Sequence, residues 1–452
     1  MKPQPIEPVP PTPLDLGDNL RLRFAVPDDF DAWVDFNERM REYDPSSNRI
    51  GVWANELMSG RHPTTRASDF TVVEDMRTGK IVSSLCLIPQ AWSYGGIPFG
   101  CARIEQVGTD PAYRRRGLVR KQMDVIHALS AAKGDLMQSI TGIPWYYRQF
   151  GYEYALDLYY GRVAPVPPPN PDSNSRYRVR PITKSDRAFV RSVYEHNARR
   201  QPFSVVRSDE HWEWEFSGRT PDSEVYRPWL IIEDTAQKPV GFIQHHPVLP
   251  SAKPDPWRMV VRQCALAPGV SHLNVAPDLL LELSRHVQSV RNVDKEDTTA
   301  QPGEVVFMLG RDDPLYAGLP VSRRSSSWGY SWYIRIPDLA AYLRHLRPVL
   351  ENHLLGTSAE GYTGALTLDF YRGGLRLEFE RGKFTDIKNL NHKEVESSDA
   401  SFPDLTFLQL LGGRRTHDQI KESYPDCSAT PAAQALLAAL FPPFTGNLWH
   451  SD

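Results

Sequence analysis

Three consecutive arginines, Arg114, Arg115 and Arg116, stand directly before Gly117. The stretch ahead of them, Ala102–Thr109, has the character of a strand, and Arg115–Lys133 is built from good helix formers and ends at Gly134. Backbone N–H groups at a helix start are unpaired, and the helix dipole favours an anion there. Guanidinium groups add charge that ordinary pH does not remove. The turn is therefore suited to a pyrophosphate. Further on, Tyr146-Tyr147-Arg148-Gln149-Phe150-Gly151-Tyr152 places phenols where one could face that anion site. A phenol, with an ordinary pKa near ~10, can donate a proton.

The elements that must hold these residues follow an α/β order. Leu20–Val26 alternates as a strand, and Pro27-Asp28-Asp29 opens an amphipathic helix carrying Phe30, Trp33, Val34 and Phe36. Asp69–Glu74 and Lys80–Pro89 read as a hairpin joined by Asp75–Gly79. Leu136–Ile140 is the strand after the helix, which completes one β-α-β crossover in a mostly antiparallel unit. Val163–Asn174 is Pro-rich and reads as a linker. The opening pattern then returns: Tyr177–Asp186 matches Leu20–Asp29 in order, and strands at Trp229–Glu233, Pro239–Pro247 and Arg258–Ala267 precede a helix at Val275–Val290. Where the arginine turn would recur the chain has Ala267-Pro268-Gly269-Val270-Ser271-His272, without a cation cluster. From about Ile336 the character changes to a long helix (Leu339–Leu355), a hairpin at Thr363–Phe370 and Leu375–Phe379, and helices at Phe402–Leu411 and Pro431–Leu440.

Composition bounds the function. The chain has 452 residues, room for about three domains at ~150 residues each. With 40% hydrophobic residues it can fill ordinary cores, and a net charge of -3 leaves no global field toward nucleic acid or membrane. The lone arginine triplet supplies few phosphate contacts for DNA or RNA. Cys86, Cys101, Cys264 and Cys427 are scattered without a C-x-x-C pair, which argues against zinc and for reduced thiols in the cytoplasm. No apolar run reaches the ~20 residues of a membrane span, and the Pro-rich start lacks the character of a secretory signal.

The stretch Val107–Met123, V-G-T-D-P-A-Y-R-R-R-G-L-V-R-K-Q-M, resembles the acetyl-CoA signature of GNAT N-acetyltransferases, Gln/Arg-x-x-Gly-x-Gly/Ala. Arg114 opens the pattern, Gly117 matches it, and Val119 stands in place of the final small residue. R-R-R-G-L followed by a larger apolar residue is similar to the Eis-like subfamily (enhanced intracellular survival protein). Tyr147–Tyr152 looks like that subfamily's second block. The resemblance implies tandem GNAT acyltransferase folds followed by a sterol-carrier-like α+β domain. The expected divisions are a flexible arm (1–17), a catalytic domain (18–163), a linker (164–176), a degenerate second copy (177–335) and the C-terminal domain (336–452).

It also implies roles. Arg114, Arg115, Arg116, Gly117, Leu118, Val119 and Arg120 would hold the pyrophosphate of acetyl-CoA. Val107, Gly108 and Thr109 would pair with its pantetheine arm, with a backbone N–H near Val107 close to the thioester oxygen. Tyr147 matches the family's general acid, whereas Tyr146 reads as packing. The base is either Glu105, acting through a water unless it is a structural carboxylate, or the chain's terminal carboxylate at Asp452. No metal is expected. Asp35, Glu38, Glu42 and Asp44 are either acceptor-binding carboxylates or a solvated helix face, and Trp33, Phe36 and Trp53 either pocket walls or core. The acceptor is expected to be a primary amine of a small molecule, aminoglycoside-like or polyamine, or of a lysine side chain. A homo-oligomer, a hexamer by resemblance, is implied as well. The competing reading is a non-catalytic acyl-CoA- or lipid-binding carrier.

Overall fold

The computed structural model describes residues 9–448 apart from 11, 41–48, 159, 166–174, 248–257, 292–303, 321–322 and 326–330. The first third of the chain forms β1 (Leu14–Asp15), β2 (Leu20–Phe24), α1 (Phe30–Arg39), α2 (Arg49–Met58), β3 (Phe70–Asp75), β4 (Lys80–Tyr94) and β5 (Ile97–Thr109). It continues through α3 (Leu118–Ala132), β6 (Met137–Ile140) and β7 (Glu153–Asp157). The middle third supplies β8 (Gly161–Pro165), β9 (Tyr177–Pro181), α4 (Arg187–Ala198), β10 (Phe203–Val206), α5 (Asp209–Glu213), β11 (Trp229–Asp234) and β12 (Pro239–His245). After these come β13 (Arg258–Leu266), α6 (His272–Arg291), β14 (Glu304–Phe307), β15 (Arg323–Ser325) and β16 (Ser331–Arg335). The last part is α7 (Leu339–Leu354), β17 (Gly364–Asp369), β18 (Gly373–Glu380), β19 (Lys383–Asn391), β20 (Ala400–Ser401), α8 (Phe407–Leu411), α9 (His417–Ser423), β21 (Ser428–Ala429) and α10 (Pro431–Leu440).

Three mixed sheets result. The first runs β1-β2-β3-β4-β5-β6-β16-β7, with β10 on the far end of β4. The second runs β15-β8-β14-β13-β12-β11-β9, and the third β19-β18-β17-β20-β21. In each of the first two, one parallel pair is bridged by a helix: β5 and β6 by α3, β13 and β14 by α6. The first two sheets exchange strands. β16, from the end of the middle third, lies between β6 and β7, and β8 lies between β14 and β15. All five residues of β16 are buried. Its S-W-Y-I-R pattern suits that place because both faces are covered: Trp332 and Ile334 enter one apolar cluster and Tyr333 another.

The faces of the first sheet are covered differently. Leu85, Leu87, Ala102 and Ile104 meet Met123 and Ile126 of α3. On the opposite face Cys86 and Ile88 meet Trp33, Phe36, Trp53 and Leu57 of α1 and α2. Farther along that face Trp92 and Phe99 join Leu343, Leu346 and much of the C-terminal part in one continuous core. Each buried aromatic there contributes about 1.5–3 kcal/mol. Trp33, Phe36 and Trp53 are thus core.

Several elements differ from expectation. The helix expected at Phe402–Leu411 begins only at Phe407, because Ala400–Ser401 pairs with β17 and β21. The helix expected from Arg115 begins at Leu118, because Arg115 (φ 65°) and Gly117 (φ 73°) are left-handed. Within the stretch expected to be a flexible arm, Leu14–Asp15 pairs with β2.

Two histidines of the middle third carry a pH prediction. Burial pushes His211 and His245 down to about 4. Each is neutral in the fold and protonates more readily once unfolded. Their contribution is therefore complete above the unfolded value near ~6.5 and is lost as pH falls through about 4. Urea midpoints are expected to drop between about pH 6.5 and about pH 4, and to drop less in His211→Phe. An identical decline in that variant contradicts the assignment.

Candidate active site

The first sheet opens where the sequence places its chemistry. β4 and β5 pair from Tyr94↔Ile97 to Cys86↔Glu105, then resume at Ser84↔Gly108. Gln106 and Val107 therefore stand opposite Leu85 alone, a β-bulge, and Gln106 takes a left-handed φ of 52°. On its other side β5 pairs with β6 only from Cys101↔Met137 to Ile104↔Ile140. Beyond Ile104 no described strand continues that ladder, so the edge at Glu105–Thr109 is open to an added extended ligand.

The arginine turn lies at the end of this edge. Asp110 accepts from Ala112 N–H at 2.9 Å and starts a short 3-10 turn, Pro111–Tyr113. Arg114, Arg115, Arg116 and Arg120 are exposed, and Leu118 is buried. Gly117 caps α3 without a side chain, so the first N–H groups of α3 have no side-chain cap. Arg114 Nε donates to Thr109 O at 3.3 Å, and the Arg116 guanidinium lies 5.3 Å from the Tyr113 ring centre. Arg120 donates to Gln149 Oε1 at 2.6 Å and covers the Phe150 ring at 5.0 Å, tying the turn to the aromatic block. An uncapped helix start, exposed cations and an open strand edge thus lie next to one another, features that suit an anion and an extended chain.

The aromatic block Tyr146–Phe150 is itself a 3-10 helix. Tyr147 is buried on the α3 face, in the cluster that holds Ile104, Ile140 and, at its margin, Val107 and Val119. Its ring crosses Gly142 so closely that a Cβ there would lie 3.0 Å from Tyr147 Cε2 and 3.5 Å from its hydroxyl. Gly142 is two residues past the end of β6, so Tyr147 stands beside the opening between β5 and β6. Tyr146 packs edge-on against Tyr147 at 5.0 Å.

Glu105 is on the other face. It pairs with Cys86 and so shares the α1–α2 side, as does Gly108, over which Phe36 and Met40 pack. Arg103, two residues back on the same face, donates to Glu105 Oε1 from Nη2 at 2.7 Å and from Nε at 3.0 Å. Among the described residues no hydrogen bond reaches Oε2. A phenol, Tyr147, thus lies on one face of the sheet and a carboxylate, Glu105, on the other.

Other expectations resolve variously. Asp35 pairs with Arg39 on an exposed helix face at 3.0 Å, and Glu38 packs on Gly51. Glu42, Asp44 and Asp452 lie outside the described residues. The segment before Asp452 is docked: Phe441, Phe444 and Leu448 are buried, and Asn447 Nδ2 donates to Met308 O at 2.9 Å. Arg103, Trp332 and Tyr333 were not singled out from the sequence. Only Arg103 had a signal, since alternation puts it on the face of Glu105. Among the described residues no group of three or more His, Cys, Asp or Glu side chains is placed to hold a metal, and no helix is long and apolar enough to cross a membrane.

Comparison with known families matches residues 21–155 to the acetyltransferase (GNAT) domain. This part of the chain is a GNAT acetyltransferase domain. The GNAT domain marks the chain as an N-acetyltransferase, of a family that draws on acyl-CoA donors and acylates amines. Solved structures share the fold along nearly its whole length. A GCN5-related N-acetyltransferase from Anabaena variabilis is 15% identical, covers 95% of this chain and 99% of its own, and has a TM-score of 0.64. A probable N-acyltransferase from Enterococcus faecalis is 13% identical over 96% of this chain and 100% of its own, at 0.64. Eis1 from Mycobacterium abscessus is 15% identical over 95% of this chain and 98% of its own, at 0.59. No curated protein matches the chain in sequence.

Proposed function

We propose that the chain transfers an acetyl group from acetyl-CoA to a primary amine, of a polyamine- or aminoglycoside-like small molecule or of a lysine side chain, in a ternary complex. The observation that carries this is the coincidence at one opening of the β5 bulge, the uncapped arginine turn and the Tyr147 ring. Arg114, Arg115, Arg116, Arg120 and the N–H groups of Gly117, Leu118 and Val119 hold the pyrophosphate. The open edge at Val107, Gly108 and Thr109 pairs with the pantetheine arm. The amine approaches from the α1–α2 face and attacks the thioester carbonyl carbon. A C–N bond forms and the C–S bond breaks.

A backbone N–H at the bulge, near Val107, steadies the oxygen as it gains charge, an effect worth about 10²–10³ in rate. Glu105 takes the amine proton through a water, using Oε2, and Tyr147 gives its hydroxyl proton to the departing thiolate. The products are the acetylated amine and free CoA thiol. The terminal carboxylate at Asp452 is the alternative base. Glu105→Gln keeps size and hydrogen bonding but removes the acceptor. It is expected to lower kcat by about 10²-fold or more with acetyl-CoA affinity unchanged. Unchanged kcat on a verified amine moves the base role to the chain terminus. We further propose that the protein acts as a homo-oligomer in the cytoplasm and that the C-terminal part is sterol-carrier-like.

A further inference from the structure

The exchanged strand β16 enters the first sheet beside its opening, and its side chains alternate between the two faces that carry chemistry. On the α1–α2 face the Trp332 ring lies under the Arg103 guanidinium at 5.2 Å. Arg103 is buried, and it grips Glu105 through two donors on one oxygen. A desolvated guanidinium stacked on an indole is held in plane, which fixes where its fork points. On the α3 face Tyr333 packs edge-on against Tyr147 at 5.6 Å and stacks on Tyr154 at 3.9 Å. Its hydroxyl donates to Ile143 O at 3.1 Å, next to the Gly142 on which the Tyr147 ring rests. Both Trp332 and Tyr333 are fully buried.

We propose that β16 is a positioning strand for the transfer reaction: Trp332 sets Glu105 through Arg103, and Tyr333 sets Tyr147 by direct contact. The middle third then serves catalysis without a cofactor turn of its own, because it lends the catalytic sheet the strand that aligns its acid and its base. The proposal rests on the assignment of Glu105 and Tyr147 given above. A misplacement of about 1 Å is enough to cost up to 10²-fold in rate, so modest repacking by β16 is visible in kcat.

The test is a pair of double-mutant cycles in the full-length protein, Trp332→Leu with Glu105→Gln and Tyr333→Leu with Tyr147→Phe. Steady-state kinetics, acetyl-CoA affinity and thermal melting are read in parallel. Each leucine variant is expected to lower kcat about tenfold or more with acetyl-CoA affinity retained. In the Glu105→Gln or Tyr147→Phe background the same change is expected to cost almost nothing further, because the group it positions is gone. Trp332→Phe and Tyr333→Phe keep a ring in place and are expected to recover most of the loss. If the leucine variants do not fold, these phenylalanine variants carry the same cycles at smaller amplitude. Losses that multiply independently, or a lowered melting temperature with unchanged kcat, overturn the proposal. Full activity in Glu105→Gln and Tyr147→Phe by themselves overturns the assignment beneath it, and that result is visible before any β16 variant is made.

Discussion

Tyr147→Phe is expected to reduce kcat by about 10²–10⁴-fold, the usual range for a positioned general acid, while acetyl-CoA affinity stays within about twofold of the parent. The substitution removes one oxygen from a ring that is buried between Gly142, Tyr146, Tyr152 and Tyr333. The ring contacts survive, so packing and cofactor cradle are left intact. The loss then belongs to the proton that the thiolate no longer receives. Acyl groups carried on better leaving groups need that proton less, so a donor thioester with a more acidic thiol is expected to recover part of the rate. A parent-like kcat on a verified amine contradicts the acid role and returns Tyr147 to packing.

The second large effect concerns binding. Arg115 and Arg116 are exposed beside an α-helix start that has no side-chain cap. Reversing both charges, Arg115→Glu with Arg116→Glu, replaces attraction for a pyrophosphate by repulsion. Hydrogen bonds to charged groups contribute about 1.5–3 kcal/mol each, so dissociation constants for CoA are expected to rise by about 10²-fold or more. Exposed charges are screened by salt, so the gap between parent and variant is expected to narrow as ionic strength rises. Thermal stability is expected to be nearly unchanged, because neither side chain is buried. Isothermal titration with CoA at two salt concentrations checks both statements. Equal affinity at low salt contradicts placement of the pyrophosphate at this turn.

What the sequence reveals about this site depends on how local each feature is. The arginine turn was legible because a helix start after a strand needs only neighbouring residues, and Gly117 adopts the left-handed cap that its lack of a side chain permits. Tyr147 was legible by its place in the aromatic block. The bulge at Gln106 and Val107 was not, since neither residue type marks an extra residue in a ladder and the left-handed turn falls on a glutamine. The pairing of Arg103 with Glu105 needed only the period of two in a strand. Strand exchange was beyond reach. Ser331–Arg335 reads as any buried strand, and whether it pairs with Met137–Ile140 or with its own sheet depends on contacts nearly two hundred residues apart in the chain. The same holds for the joint at Asp157, buried in β7, which bonds both Arg311 and Arg414. Three parts of the chain meet there, and only the folded arrangement brings those residues together.

The most direct test of the central claim is the release of CoA thiol from acetyl-CoA by the purified full-length protein over a panel of amines: polyamines, aminoglycosides and lysine peptides. Product mass is measured in the same reactions. Amine-dependent thiol release, matched one for one by an amine that has gained a single acetyl group and slowed about 10²-fold or more by Tyr147→Phe, is the predicted result. Tight CoA binding with no amine-dependent release from any member of the panel, together with lipid recovered from the purified protein, would contradict it.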